Sequence, residues 1–482
     1  MKKLLLIIGF STLILGFNNC ATNPVTGKRQ VVLMSEAQEL AMGQEADPQI
    51  VAQFGLYEDA ALQAFIQEKG KQMAAISHRP NIEYHFKVID SDVLNAFAVP
   101  GGYVYFTRGI MAHFNSEADF AGVLGHEIGH IAHRHTVEQQ RNQMLGQLGL
   151  IAGMIISPTI AQFGQAASQG LGLMLLKFGR DAERESDQLG VEYSTKIGYD
   201  ARQMANFFQT LQRSSEAAGS DPLPNFLSTH PDPGDRLTTV TKLAREWQQK
   251  LNLTNPKVNR EAYLKRIDGL IYGEDPKGGY RENNVFYHPV LKFQFPTPAN
   301  WRYQNSPQQV ALASPDGKAM MLLMLAQGTS LQQAAQGVLE KYKMTNRSYR
   351  ELNVNGLNAA ELYADQVPPQ GQQGGVRTVS YLIQYGQLIY HMIGVAGPAD
   401  FASYERTFLG TMQAFRELTD QAKLNKKPDR VRIRTVNQAT TLEQALRGYN
   451  TPQNKLQELA ILNGMTLTER LSQGTLIKVI AQ

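Results

Sequence analysis

The 482-residue chain has room for two or three domains, and its 43% hydrophobic content excludes a disordered or collagen-like polymer. A formal net charge of +4 is too mild to argue for nucleic acid, and a single cysteine excludes a zinc-finger-like structural site.

Met1-Lys2-Lys3 followed by the apolar run 4–17 reads as a bacterial export signal, short for a transmembrane helix. The lone Cys20 falls where cleavage is expected and is the candidate lipidation site, which would anchor the mature chain to a membrane surface. Phe17-Asn18-Asn19 stands where small residues normally precede such a cysteine. Residues 35–77 read as helices, opened by a Ser35/Gln38 capping box and carrying Leu62, Phe65, Ile66 and Met73 at helical spacing. Residues 82–89 alternate as a strand does. Asn95, Ala96, Phe97 and Ala98 open a second strand, which turns at Pro100-Gly101-Gly102 and returns through Tyr103 to Phe106. This is either an ordinary hairpin or a substrate strand, beside which an extended peptide adds as a further strand.

The stretch 115–135 carries chemistry. His126, Glu127 and His130 have H-E-x-x-H spacing, which on a helix sets two imidazoles one turn apart on one face, able to grip one zinc ion. Glu127 then stands where it can reach a metal-bound water as general base. Asn115 or Ser116 can cap this helix, and Glu117 and Asp119 suit its positive end. Gly125 and Gly129 each cost about 1 kcal/mol relative to Ala in a helix, which makes sense if something must approach closely. His133 is a poor third ligand, because a rigid helix carries three successive turns away from one point. The metzincin pattern, with glycine at 133 and histidine at 136, is not met by His133 and Thr136.

The apolar, Gly/Ala-rich residues 144–178 read as helices packed over the site, with a membrane-facing hairpin as the alternative. Residues 179–198 form a second polar-faced helix with Glu183 and Asp187 at i and i+4. Glu183 is the stronger third ligand, Asp187 can accept from a ligand histidine's other nitrogen, and Glu185 points elsewhere. His230 lies in a Pro-rich loop running into a helix that contains Arg236 and Trp247.

Taken together, these pieces resemble the gluzincin family of the CAAX prenyl endopeptidase and the bacterial peptidase HtpX, closest to its exported periplasmic or lipoprotein members. The resemblance rests on Asn95-Ala96-Phe97-Ala98 with Pro100-Gly101-Gly102, on His126-Glu127-Ile128-Gly129-His130, on the helix of Glu183 and Asp187, and on Ser228-Thr229-His230-Pro231 with Arg236. Ser186 stands where the family usually has alanine. The resemblance implies one zinc per chain on His126, His130 and Glu183, Glu127 as base and Asp187 behind the ligands. His230 and Arg236 are then candidates for stabilising the oxyanion or gating the site. Protein or peptide substrates in the cell envelope follow from the same resemblance.

Beyond residue 255, strands recur in alternating patterns with two helices, giving an α+β antiparallel-sheet domain in which His288 and His391 are ordinary surface or core residues. Its start faintly resembles a PsbP-like fold. The tail reads strand, helix, helix, strand, and Leu462-Asn463-Gly464-Met465 with Ile477-Lys478-Val479 resembles a LysM module, implying peptidoglycan contact. The expected fold class is α+β: a mainly helical zincin-like domain, the sheet domain and the tail. Expected boundaries are 1–20 signal, 21–255 peptidase, 256–283 linker, 284–418 sheet domain, 419–430 basic linker and 431–482 tail. Two other functions stay open, a zinc amidase acting on cell wall and a non-catalytic assembly factor with a closed zinc site.

Overall fold

The computed structural model describes residues 20–31, 34–135, 137, 178–218, 226–230, 233–366 and 375–482. The expected export signal up to residue 19 and the apolar residues 144–177 lie outside them. Among the described residues no helix is long and apolar enough to cross a membrane.

Strands β1 (Cys20–Thr22) and β2 (Arg29–Val31) pair antiparallel ahead of α1 (Glu36–Phe54). Helix α1 starts at a reciprocal cap: Ser35 Oγ accepts from the Gln38 N–H, and Gln38 Oε1 accepts from the Ser35 N–H. Asp59 caps α2 (Ala60–Ala74). A three-stranded sheet follows, from β3 (His85–Ile89), β4 (Ala96–Val99) and β5 (Tyr103–Thr107), in the order β3-β5-β4. The β4–β5 turn needs its glycines: Gly102 has φ +93°, and a Cβ there would meet Glu83 O at 2.2 Å. Helix α3 (Arg108–His113) leads into α4 (Glu117–His133), capped by Ser116 Oγ accepting from the Asp119 N–H. Every residue of α4 is buried, so the H-E-x-x-H helix runs through the core. Around it lie α5 (Arg180–Lys196), α6 (Arg202–Ala218), α7 (Phe226–Thr229) and α8 (Pro233–Lys250).

Helix α9 (Arg260–Arg266) lies in the stretch expected as a linker, but Tyr263 and Leu264 are fully buried in the same core. The Tyr263 hydroxyl donates to Met111 O at 2.7 Å. A few large apolar residues thus draw a polar, Gly/Pro-containing stretch inward.

The sheet domain begins at β6 (Tyr280–Glu282), ahead of the expected boundary, and β6 pairs with β7 (Val285–His288) and then β8 (Phe293–Pro296). Strands β9 (Arg302–Asn305), β10 (Gln309–Ala313) and β11 (Ala319–Ala326) precede α10 (Leu331–Lys341). Strands β12 (Thr345–Val354), β13 (Leu357–Gln366), β14 (Val376–Tyr385) and β15 (Leu388–Ala396) precede α11 (Phe401–Gln413). Strands β9 to β15 form one antiparallel sheet, ordered β12-β13-β14-β15-β11-β10-β9. On one side of it, Leu322 and Ile393 share a core with Ile50 of α1 and with Phe97 and Tyr105 of β4 and β5, so the peptidase half and the sheet domain are packed together. On the other side α11 and β6–β8 cover it. His391 is a buried core residue bonded to Ser380 Oγ, and His288 accepts from the Leu291 N–H. The expected basic linker is held too, with Lys423 and Lys426 paired to Glu282 at 2.7 and 2.8 Å.

The tail runs β16 (Arg430–Thr435), α12 (Leu442–Gly448), α13 (Leu456–Leu462) and β17 (Leu476–Ala481), with β16 and β17 antiparallel. It is not a separate lobe. Val431, Leu446, Leu459 and Ile477 share one core cluster with Phe120 and Phe207 of the peptidase half. Lys478 is fully buried and its Nζ donates to Ala112 O, Phe114 O and Leu462 O at 2.7, 2.8 and 2.9 Å. The tail therefore grips the turn that starts α4. Lys478→Met should take the side-chain donor from the buried Ala112 and Phe114 carbonyls and cost at least about 3 kcal/mol. Urea unfolding of the full chain checks this, and a loss below about 1 kcal/mol would deny Lys478 that duty.

Candidate metal centre

The site exists because α4 and α5 touch backbone to backbone. A Cβ on Gly125 would lie 2.9 Å from Gly190 O, and one on Gly129 would lie 3.2 Å from Ser186 Cα. A Cβ on Gly190 would lie 3.1 Å from His126 N. The helical glycines thus allow the close approach that offsets their intrinsic cost. That approach brings His126 and His130 of α4 against Glu183 of α5, and the residue after α7, His230, completes a fully buried group with ligand atoms within 4.8 Å of one another.

The spacings suit a four-coordinate ion. His126 Nε2 lies 3.0 Å from His130 Nε2 and 3.2 Å from His230 Nδ1. His230 Nδ1 lies 2.9 Å from Glu183 Oε1, and Glu183 oxygens lie 3.5 Å from each of the other two imidazoles. Ligands on tetrahedral zinc stand about 3.3 Å apart. Polar atoms are also left over: Glu183 Oε2, both Glu127 carboxylate oxygens and His230 Nε2 are buried without a hydrogen-bond partner. Two imidazoles, a third from His230, and a carboxylate are a zinc donor set. Glu127 is not in the donor group, and its Oε1 lies 3.8 Å from His230 Nε2.

Outer contacts orient the ligands. His126 Nδ1 and Asp187 Oδ1 are 2.9 Å apart, and Arg236 donates twice to Asp187, both at 2.7 Å. Arg236 Nη1 also donates to His230 O at 3.2 Å and lies 3.2 Å from Glu183 Oε2. Its guanidinium rests on Phe208, 4.0 Å from the ring centroid. The sequence paired Arg236 with His230 as an oxyanion or gate candidate; the structure commits its donors to Asp187 and the His230 backbone.

These charges set the protonation states. Burial pushes the Asp187 carboxyl up, but Arg236 and His126 outweigh it and hold the group down to about 2. Burial likewise raises Glu183, and His230, His126 and Arg236 reverse the sign. Glu127 goes the other way: burial raises it above the ordinary carboxylate range despite the nearby His230 and His126. Burial lowers His130 well below the usual imidazole value, leaving the neutral form that binds metals.

The expected substrate strand lies beside this group. Among the described strands β4 stands at the end of its sheet order, and Ala96, Phe97 and Ala98 are buried along it. Asn95 Oδ1 accepts from Thr229 Oγ1 at 3.3 Å, and Leu94 O accepts from the Phe226 N–H at 2.8 Å, tying the strand to the short helix that precedes His230.

Sequence reasoning assigned nothing to His135 and turned Glu185 away. His135 Nδ1 lies 3.1 Å from His130 Nδ1, and His135 Nε2 lies 2.9 Å from Glu185 Oε2. Arg134, at φ +63°, caps α4 in the left-handed region and turns His135 back along the helix. The only signal in the sequence is a histidine just past the helix end, and its meaning depends on that turn. His133 stays outside the four-residue group.

A buried helix bearing H-E-x-x-H, met by a carboxylate from the next described helix, is the arrangement expected of a gluzincin-type metallopeptidase domain. Residues 60–244 match the model of Peptidase family M48. The chain is 30% identical over 263 residues to the "Beta-barrel assembly-enhancing protease" of Yersinia pestis, covering 52% of each chain. It is 28% identical over 233 residues to the protein of the same name from Escherichia coli strain K12, covering 47% of each. It is 31% identical over 175 residues to "Mitochondrial metalloendopeptidase OMA1" of Arabidopsis thaliana, covering 36% of this chain and 34% of that one. The chain thus spans about half the length of the first two relatives. A solved PsbP from Synechocystis sp. PCC 6803 aligns with 28% of this chain and 91% of its own at 8% identity and a TM-score of 0.23, too low to carry a fold argument.

Arg236→Met should remove the buried cation shared by Asp187 and Glu183 and destabilise the chain by about 3–5 kcal/mol, measured by urea unfolding. A shift under about 1 kcal/mol would show that the ion pairs are not what holds the ligands.

Proposed function

We propose that this chain is a zinc-dependent metalloendopeptidase of the cell envelope that cuts unfolded or misassembled proteins. The buried group of His126, His130, Glu183 and His230, beside a Glu127 with no hydrogen bond, is the observation that carries the reading. His126, His130 and Glu183 hold the ion, and Asp187 fixes His126 in the tautomer that presents Nε2. Zinc, when bound, polarises the scissile carbonyl and acidifies water. Glu127, raised by burial, takes a proton from the attacking water and returns it to the leaving amine. An extended peptide pairs along β4, whose end is tied to the His230 segment.

The placement of His230 favours the gate over the oxyanion role. Its Nδ1 is turned toward the other donors, 3.2 Å from His126 Nε2, so it closes the position that water or substrate needs. Turnover then requires His230 to withdraw. The substrate class follows from relatives named for enhancing β-barrel assembly, and the export signal with a lipidated Cys20 would place the enzyme on an envelope membrane.

Cleavage of an unfolded protein by the full chain, with metal content measured in parallel, tests this. Glu127→Gln should keep its zinc and lose at least about 100-fold in kcat. Glu183→Gln should lose zinc, and unchanged zinc and activity in that variant would remove Glu183 from the ligand set. His230→Ala should raise the rate; a fall would restore the oxyanion reading. Cleavage of muropeptides but not of proteins would turn the assignment to an amidase.

A further inference from the structure

Beside the proposed catalytic group lies a second one that the peptidase mechanism leaves unused. His133 ends α4, Arg134 reverses the chain, and the His135 ring stacks on the His133 ring with centroids 4.9 Å apart and planes 2° apart. Both rings face one oxygen: Glu185 Oε2 lies 2.9 Å from His135 Nε2 and 3.6 Å from His133 Nδ1. The three ligand atoms lie within 4.8 Å of one another, and the two contacts to Glu185 bracket the roughly 3.3 Å spacing of ligands on tetrahedral zinc.

We infer that His133, His135 and Glu185 form a second divalent-metal site. Two imidazoles and a carboxylate select a zinc-class ion over calcium or magnesium, which take oxygen ligands. The His133 side chain is 5% exposed, yet its ring makes no hydrogen bond among the described residues. The Glu185 side chain is 45% exposed, which gives an ion a route in and leaves room for water to complete its coordination.

The two groups are coupled through His130. Its Nδ1 lies 3.1 Å from His135 Nδ1, so the pair shares one proton. With His130 Nε2 given to the first ion, its Nδ1–H donates to His135 Nδ1, and His135 Nε2–H donates to Glu185. A second ion on His135 Nε2 moves that ring's proton to Nδ1, where Ser186 Oγ, 3.3 Å away, becomes its acceptor. His130 then loses its orienting partner. The second ion therefore binds after the first and more weakly.

Equilibrium dialysis of the full chain against rising free Zn²⁺ tests this by metal content. The wild type should take up zinc in two steps. Glu185→Gln and His133→Ala should each lose the weaker step and keep the tighter one. Glu183→Gln should lose the tighter step and keep the weaker, which separates this site from the catalytic assignment. A single wild-type step unchanged in Glu185→Gln and His133→Ala would overturn the inference, as would a second step persisting in both. If circular dichroism shows His133→Ala unfolded, Glu185→Gln decides, because its side chain reaches solvent.

Discussion

The contact between two helix backbones governs the rest of the molecule. Gly125 and Gly129 on α4 and Gly190 on α5 remove the side chains that would hold the helices apart. With that gap closed, two imidazoles from one helix meet a carboxylate from the other within ligand distance. The cost is a helix weakened by glycine, and it is offset by burial of α4 along its whole length. Strand β5, helix α9 and the tail all pack into the core around α4.

Burying this much charge needs counter-charge. Glu127, Glu183 and Asp187 are all buried within reach of one guanidinium, that of Arg236. The remaining counter-charge falls to His230, whose pKa burial lowers but Glu183 and Glu127 raise on balance, and a divalent ion would supply it in place of that proton. Asp187 takes most of the Arg236 donors, leaving Glu183 Oε2 without a hydrogen bond. That need is therefore concentrated where the four ligand atoms converge.

Much of the site was legible in the chain because helical periodicity is local. H-E-x-x-H at 126–130 and the i, i+4 pair Glu183 and Asp187 carry their geometry in their spacing, as does the Pro100-Gly101-Gly102 turn. What escaped depends on contacts distant in sequence. Tyr263 and Leu264 sit in a stretch whose composition says linker, and only the cleft they fill draws them inside. The tail's strand–helix–helix–strand order was readable, but not that Lys478 would be buried against Ala112 and Phe114. Glu185 was set aside because it faces away from Glu183, which is true; its partner His135 is reached only through the left-handed turn at Arg134.

The proposed peptidase activity depends on metal held between α4 and α5. The most direct measurement is cleavage of an unfolded protein by the full chain, first stripped by a chelator and then titrated with zinc. Cleavage should vanish on stripping and return as the tighter site fills. Cleavage that persists in chain verified as metal-free would contradict that dependence.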